Sequence, residues 1–435
     1  MEEQQDAIII GAGIIGAATA LELSKRGYKT VNLDTLPASG YGPTGNSCAI
    51  VRFFYSSRDG VAMAHESAAF WEDWKDYIGI EDDFGLARYV RCGSLQLKDA
   101  ERSYERSIPF YEELGVEFED WDRDEVERRL PIFDMGNFSP PRRPDDPRFR
   151  DPAHGVVEGG IFNPGAGYVN DPQLATHNIQ RAAEAAGGRF EFGQTVTAIH
   201  LDGARVAAVS LADGRRLEAQ VVVNVAGPHS SQINKMAGAL EDMKITTRAL
   251  RHEVHHVPSP PNFDFERDAC VISDGDIGIY YRPAPGNHIL VGSEDPDCDP
   301  REWVDDPDDY DRGVTEAQYE AQVFRLGRRI PELKIPTARQ GVVDLYDVSD
   351  DWIPIYDRSC VDGFYMAIGT SGNQFKNAPV AGALMAELID RVEHGHDHDA
   401  DPVRLCCRYT GVELSGGFYS RLREVNEDSS FSVRG

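Results

Sequence analysis

Lysine is scarce here: eight residues of 435, against 73 Asp and Glu, so arginine supplies most of the 44 basic side chains. The formal net charge is −29 at pH 7, with acid spread along the chain and a local peak at 305–311. So acidic a surface repels phosphate backbones and anionic lipid, which excludes nucleic acid and the membrane surface as partners. The seven cysteines (48, 92, 270, 298, 360, 406 and 407) include no C-x-x-C and are odd in number. That pattern argues for reduced thiols and a cytoplasmic location rather than a disulfide framework. The acidic start, MEEQQD, does not open a signal peptide. The apolar run after it is broken by glycines and too short to cross a bilayer. Neither G-x-S-x-G nor H-E-x-x-H occurs, and no internal repeat is evident.

What is present is a soluble globular mixture, 41% hydrophobic and 27% charged, long enough for two domains or one large fold with insertions. Its organising stretch is 7–34, AIIIGAGIIGAATALELSKRGYKTVNLD. Residues 7–10 read as a buried strand. Gly11, Gly13 and Gly16 follow in G-x-G-x-x-G order, then a helix with Ala20 and Leu23 inward, stopped by Gly27. A second strand, 30–33, ends on Asp34. Gly11 permits a tight turn, Gly13 a close approach to pyrophosphate, and Gly16 tight helix packing. The helix N-terminus presents free N–H groups and a positive dipole end to phosphate, and Asp34 is spaced to accept from ribose hydroxyls. The pattern sits between two strands with the acid at the right distance, which predicts a dinucleotide site.

Further along, the spacing predicts helices over 61–77, 104–114, 123–130, 172–186 and 315–329. Strands are expected at 93–97, 189–192, 195–201, 205–211, 216–225 and 364–368, with Asp-Gly turns at 202–203 and 213–214. LRHEVHHV, GIYYRP and HILVGS look like antiparallel strands, with His252 and His256 on one face and His255 on the other. Residues 137–154 lack periodicity and read as a surface excursion. HGHDHDADP at 394–402 has the residue types of a metal site, but its setting reads as a solvated loop, and no metal is expected. The fold class implied is α/β: a discontinuous Rossmann-like nucleotide-binding domain (1–85, 155–235, 335–400), an inserted, largely antiparallel domain (86–154, 236–334), and a C-terminal arm (401–435) that docks through Phe418, Tyr419 and Phe431.

Six blocks carry a resemblance: GAGIIGAATALELSKRGYKTVNLD, GPTGNSCAIVRFFY, VVVNVAGPHS, GIYYRPAPGNHILVGSEDP, VVDLYDVSDDWIPI and GTSGNQFKNAPVAG. In this order they resemble the flavoprotein family of sarcosine oxidase, dimethylglycine dehydrogenase, glycine oxidase and D-amino acid oxidase, to about residue 392. The resemblance implies an FAD cofactor and amine oxidation by hydride transfer. It implies FAD contacts at Gly11, Gly13, Ile14, Ile15, Gly16 and Asp34, then at Thr44, Ser47 and Cys48, at Val196, and at Ala226 and Gly227. The last block adds Gly369, Ser371, Gly372, Asn373, Gln374, Phe375 and Lys376. Its glycine turn opens a helix whose dipole suits negative charge on a reduced flavin. Arg52 and Lys376, each in apolar or aromatic company, match positions that grip a substrate carboxylate. Tyr346 and Tyr281 are candidate walls of the substrate cage.

Two departures matter. Asp344 stands where some relatives carry the cysteine that binds FAD covalently, and no histidine lies between Gly40 and Tyr55, so the FAD is expected to be non-covalent. Leu290 or a neighbour stands where sarcosine oxidase has a lysine that promotes oxygen reduction. That leans toward a dehydrogenase with a protein or quinone acceptor, slow turnover with O2 being the other possibility. The expected reaction is oxidation of a sarcosine-like secondary or N-methyl amino acid. The alternatives are a primary amino acid, a 2-hydroxy acid, or a flavin-binding regulatory subunit. The acid excess carries its own test: a salt-adapted protein unfolds below roughly 1 M salt, whereas an ordinary acidic one gives an unchanged melting curve in dilute buffer.

Overall fold

The run Ala7–Ile10 forms a strand buried on both faces, in a computed structural model that describes residues 5–435. Thr30–Asp34 pairs with it in parallel on one side and Val221–Asn224 on the other. Arg189–Phe192, Phe364–Ile368 and the antiparallel Ile355–Arg358 complete a six-stranded sheet. Strand alternation accounts for the double burial. Ala7 and Ile9 pack with the helices Ile14–Lys25, Pro172–Ala185 and Ala378–Glu393, while Ile8 and Ile10 pack with a small sheet of Val196–Asp202, Arg205–Leu211 and Arg216–Glu218.

A nine-stranded, mainly antiparallel sheet stands beside the first. Its long strand Thr247–Pro258 pairs with Gly341–Ser349 and with His288–Ser293 and Glu302–Val304. Ile279–Ala284, Val271–Asp274, Ser94–Leu97, Gly159–Asn163 and Glu119–Asp122 continue it. Gly159–Asn163 and Gly341–Ser349, which the sequence groups with the nucleotide side, are strands of this sheet. Helix Glu316–Arg329 covers it and buries Arg329 between Asp274 at 2.8 Å and Asp276 at 2.9 Å.

Local expectations shift in several places, among them 104–114, where a 3-10 turn, Ser103–Ser107, precedes the helix Ile108–Leu114. The helix expected over 61–77 breaks at Asp73 into Arg58–Glu72, capped by Ser57, and Trp74–Ile78. The strand expected over 216–225 divides between two sheets, as Arg216–Glu218 and Val221–Asn224. Residues 137–154 are tied down: the Phe138 and Ser139 amides donate to Asp276, and Arg325 donates to the Arg142 carbonyl. His394 and His396 bond backbone carbonyls, and His398 is buried 3.4 Å from Asp357. No helix among the described residues is long and apolar enough to cross a membrane.

The helix Ala378–Glu393 lies against Ile14–Lys25 at Gly382, where a Cβ would stand 2.7 Å from the Ala18 carbonyl group. Backbone cannot yield cheaply, so Gly382→Ala should destabilise the fold by about 1–3 kcal/mol despite alanine's better helix propensity. Urea unfolding reads this; an unchanged or raised midpoint would contradict the contact.

Candidate active site

A cavity of about 730 Å³ runs from the first glycine turn to the C-terminal arm. That volume lies within the range of ligand pockets. At the turn, backbone replaces side chain. Gly11 has φ +121° and a Cβ there would stand 2.4 Å from the Val225 oxygen; one at Gly16 would stand 2.4 Å from the Gly11 oxygen. Thr44 Oγ1 accepts from the Ile14 amide at 3.3 Å and would lie 3.1 Å from a Cβ at Gly13. Helix Ile14–Lys25 starts on Gly13, which has no side chain to cap it, and carries no acid in its first turn, so its positive end favours an anion. Asp34 accepts from the amides of Ala12 (2.7 Å) and Leu36 (2.9 Å), while burial raises its pKa. Asn32 ties the turn together by donating to the carbonyls of Gly11 (3.0 Å) and Gly16 (3.2 Å). Its mark in the sequence was a lone amide inside an apolar strand.

These features fit FAD. Gly11, Gly13, Ile14, Ile15 and Gly16 would meet its diphosphate and Asp34 its ribose, with Thr44, Val196, Ala226 and Gly227 on the same wall. Ser47 and Cys48 also line the cavity. Cys48 Sγ lies 3.7 Å from the Tyr280 hydroxyl, and burial pushes its thiol up, which keeps it protonated and a poor nucleophile. Asp344 accepts from Asn46 at 2.7 Å. Leu290 pairs across the strand with Arg282, whose Nε turns to the Cys48 carbonyl at 2.7 Å and whose guanidinium lies over the Tyr168 ring.

The second turn is shaped by left-handed residues: Gly369 (φ +67°), Ser371 (φ +48°) and Gly372 (φ +70°). Gly369 and Ser371 do not line the cavity. The Gly369 amide donates to Asp347 at 2.6 Å, and Ser371 Oγ donates to the Gly369 carbonyl, so both hold the turn. Gly372, Asn373, Gln374, Phe375 and Lys376 line the cavity. A Cβ at Gly372 would enter the Tyr346 ring, 2.4 Å from its nearest atom.

The strand Ile50–Val51 delivers Arg52 to the far end. Its guanidinium lies 4.6 Å from the Tyr55 ring centroid, and Lys376 Nζ lies 5.0 Å from the same centroid. Flanking one ring puts the two cations within about 10 Å, one screening length. Arg52 donates to the carbonyls of Phe54 and, at 2.7 Å, Val433; Lys376 donates to the Asn373 carbonyl at 2.7 Å. Burial, then Arg52, hold the Lys376 ammonium well below the ordinary lysine range. Burial likewise opposes the charge on Arg52, while Tyr55 and Glu294 favour it. Neither cation has a salt-bridge partner among the described residues, a setting that favours an incoming carboxylate.

Tyr346 lines the cavity, stacked on His252 with centroids 4.1 Å apart. Tyr281 does not: its ring is in the core of the large sheet's other face, against Phe133 and Phe265. Period-two alternation turns its neighbour Tyr280 to the cavity instead. Four further residues were missed from sequence. His252 and Glu294 sit on the wall, and Val433 and Arg434 arrive from the arm. Alternation was the available signal for His252; nothing local marked the other three.

Comparison with known proteins agrees with this geometry. The DAO family profile, FAD dependent oxidoreductase, matches residues 6–388. Sarcosine oxidase subunit beta of Rhodobacter capsulatus is 26% identical over 89% of this chain and 85% of that protein. Glycine oxidase of Geobacillus kaustophilus is 22% identical over 91% of this chain and 96% of that protein. Among solved structures, L-proline dehydrogenase from P. horikoshii superposes with a TM-score of 0.76 at 20% identity, over 98% of this chain and 100% of that one. The glycine turn, the cavity and this match over nearly the whole length agree: the chain belongs to the DAO family of FAD-dependent oxidoreductases.

Proposed function

We propose that the protein oxidises the C–N bond of a sarcosine-like secondary or N-methyl amino acid. The observation that carries the reading is the pair of buried cations, Arg52 and Lys376, at the end of the cavity away from the glycine turn. FAD, when bound, supplies the acceptor for the substrate's hydride. The chain's own residues bind and orient. Arg52 takes one end of the carboxylate after releasing the Val433 carbonyl, and Lys376 closes on the other. An arriving anion offsets the burial that opposes the Lys376 ammonium, so ligand binding favours its charged form. Phe54, Tyr55, Tyr280 and Tyr346 keep the site dry, which strengthens both contacts. The relatives' names support an amino-acid-like substrate: sarcosine, glycine and L-proline. Sarcosine and proline are secondary amines, which favours that class over primary amino acids. The Leu290 strand brings no cation to the cavity, which supports a protein or quinone electron acceptor over rapid reduction of O2.

Anaerobic titration of the holoenzyme with N-methyl amino acids, primary amino acids and 2-hydroxy acids should bleach the flavin spectrum with the first group. Bleaching by hydroxy acids alone, or by none, would overturn the reading. Arg52→Gln should weaken substrate affinity about 100-fold, roughly 3 kcal/mol, and Lys376→Met by a similar order. Unchanged affinity in both would remove the carboxylate grip. Acid precipitation should leave all flavin in the supernatant; colour in the pellet would show a covalent link.

A further inference from the structure

One carboxylate on the cavity wall has no place in that scheme. Glu294 directly follows the strand His288–Ser293 and is 5% exposed. Its Oε1 accepts from Ser273 Oγ. Its Oε2 is buried with no hydrogen-bond partner. The nearest cation is Arg434, whose Nη1 stands 3.9 Å from Oε2, beyond hydrogen-bond reach. That Nη1 bonds Ser103 Oγ at 3.1 Å and lies 3.6 Å from Asp99.

The arm therefore engages both charges of the site with adjacent residues. The Val433 carbonyl oxygen sits on the Arg52 guanidinium, and the Arg434 guanidinium faces Glu294. An amino acid carries the same two features: an anionic oxygen and a cationic nitrogen.

We propose that Glu294 receives the substrate's ammonium, and that Val433 and Arg434 of the arm occupy the places of the substrate's two charged groups until it binds. The inference rests on the amino-acid reading above and extends it to the amine end. The step balances simply. The substrate nitrogen gives one proton to Glu294 Oε2 and keeps its lone pair, and the neutral amine can then lose hydride from its carbon. A buried acceptor with no other partner suits that transfer, since a fully hydrogen-bonded carboxylate would resist protonation. Burial raises the Glu294 pKa to about 7, against the lowering effects of Arg434 and the Ser273 hydroxyl, with Asp274 and Asp99 raising it further. The proton acceptor is thus poised near neutrality, where ammonium and carboxylate can trade a proton at small cost.

The test is flavin reduction by N-methylglycine in the holoenzyme, followed from pH 5.5 to 9 alongside spectral titration with acetate, which has the carboxylate and lacks the amine. In the unaltered protein, reduction efficiency should rise with pH through an apparent value near 7, as Glu294 ionises. Glu294→Gln should abolish that rise and cut reduction at pH 8 by at least about 10-fold, while acetate affinity stays within about twofold. Arg434→Gln removes a cation that favours the ionised form, so the rise should move to higher pH. An unchanged pH profile in Glu294→Gln, or equal losses for acetate and N-methylglycine, would overturn the proposal. If that variant does not fold, a profile unmoved in Arg434→Gln does the same. Failure of any amino acid to bleach the unaltered protein defeats the amino-acid reading and this inference with it; bleaching with an insensitive profile defeats this inference alone.

Discussion

Near the start of the chain, backbone must touch backbone. A Cβ at Gly11 would be driven into the Val225 carbonyl, and one at Gly16 into the carbonyl of Gly11. Those contacts bring the ends of Ala7–Ile10 and Val221–Asn224 and the start of Ile14–Lys25 to one place, although more than two hundred residues separate the strands. Asn32 and Asp34, from the next strand, hold the same turn through Gly11, Gly16 and Ala12. The anion-binding end of the cavity is therefore made of main chain, held by close main-chain contacts and by two buried or half-buried side chains. Its donors cannot rotate away, so little ordering remains to be done when a diphosphate arrives.

The opposite end works by a different rule. Charged groups are taken out of water and left incompletely paired. Arg52 and Lys376 bond only backbone carbonyls, and Glu294 keeps one oxygen without a hydrogen bond. Each arrangement costs stability, a cost that a ligand of opposite charge entering there would offset. The contrast with Arg329 is instructive. That guanidinium is equally buried but is met by Asp274 and Asp276, so it locks a helix to the large sheet and has no capacity for a ligand. Pairing separates a structural charge from one available to substrate.

The site exists only where the two sheets and the arm converge. The six-stranded sheet brings the first glycine turn, the Phe364–Ile368 strand leads into the second, and the nine-stranded sheet supplies Tyr280, His252, Glu294 and Tyr346. The arm closes the remaining side with Val433 and Arg434. It is held by the Arg301 bond to the Phe431 carbonyl and by Arg421 against Asp357 and Asp399.

How much of this was legible depended on distance along the chain. The glycine turn, the strand before it and Asp34 are local, and the steric need for glycine at each point could be read from spacing alone. Arg52 and Lys376 stood out because a charge in an apolar or aromatic run calls for a reason wherever it lies. The ends of elements were less legible: Asp73 breaks one helix, and 216–225 divides because its halves pair with different partners. Tyr281 and Tyr280 are adjacent, and only the register of Ile279–Ala284 against its neighbours decides which faces the cavity. The arm's place on Arg52 joins residues 381 apart, and Glu294 meets Arg434 by the same closure. No local pattern encodes such contacts. The sequence by itself determined the chemistry each segment can offer, because steric and charge requirements act over a few residues. Only the tertiary structure decided which offers meet, because burial and pairing are properties of the closed fold.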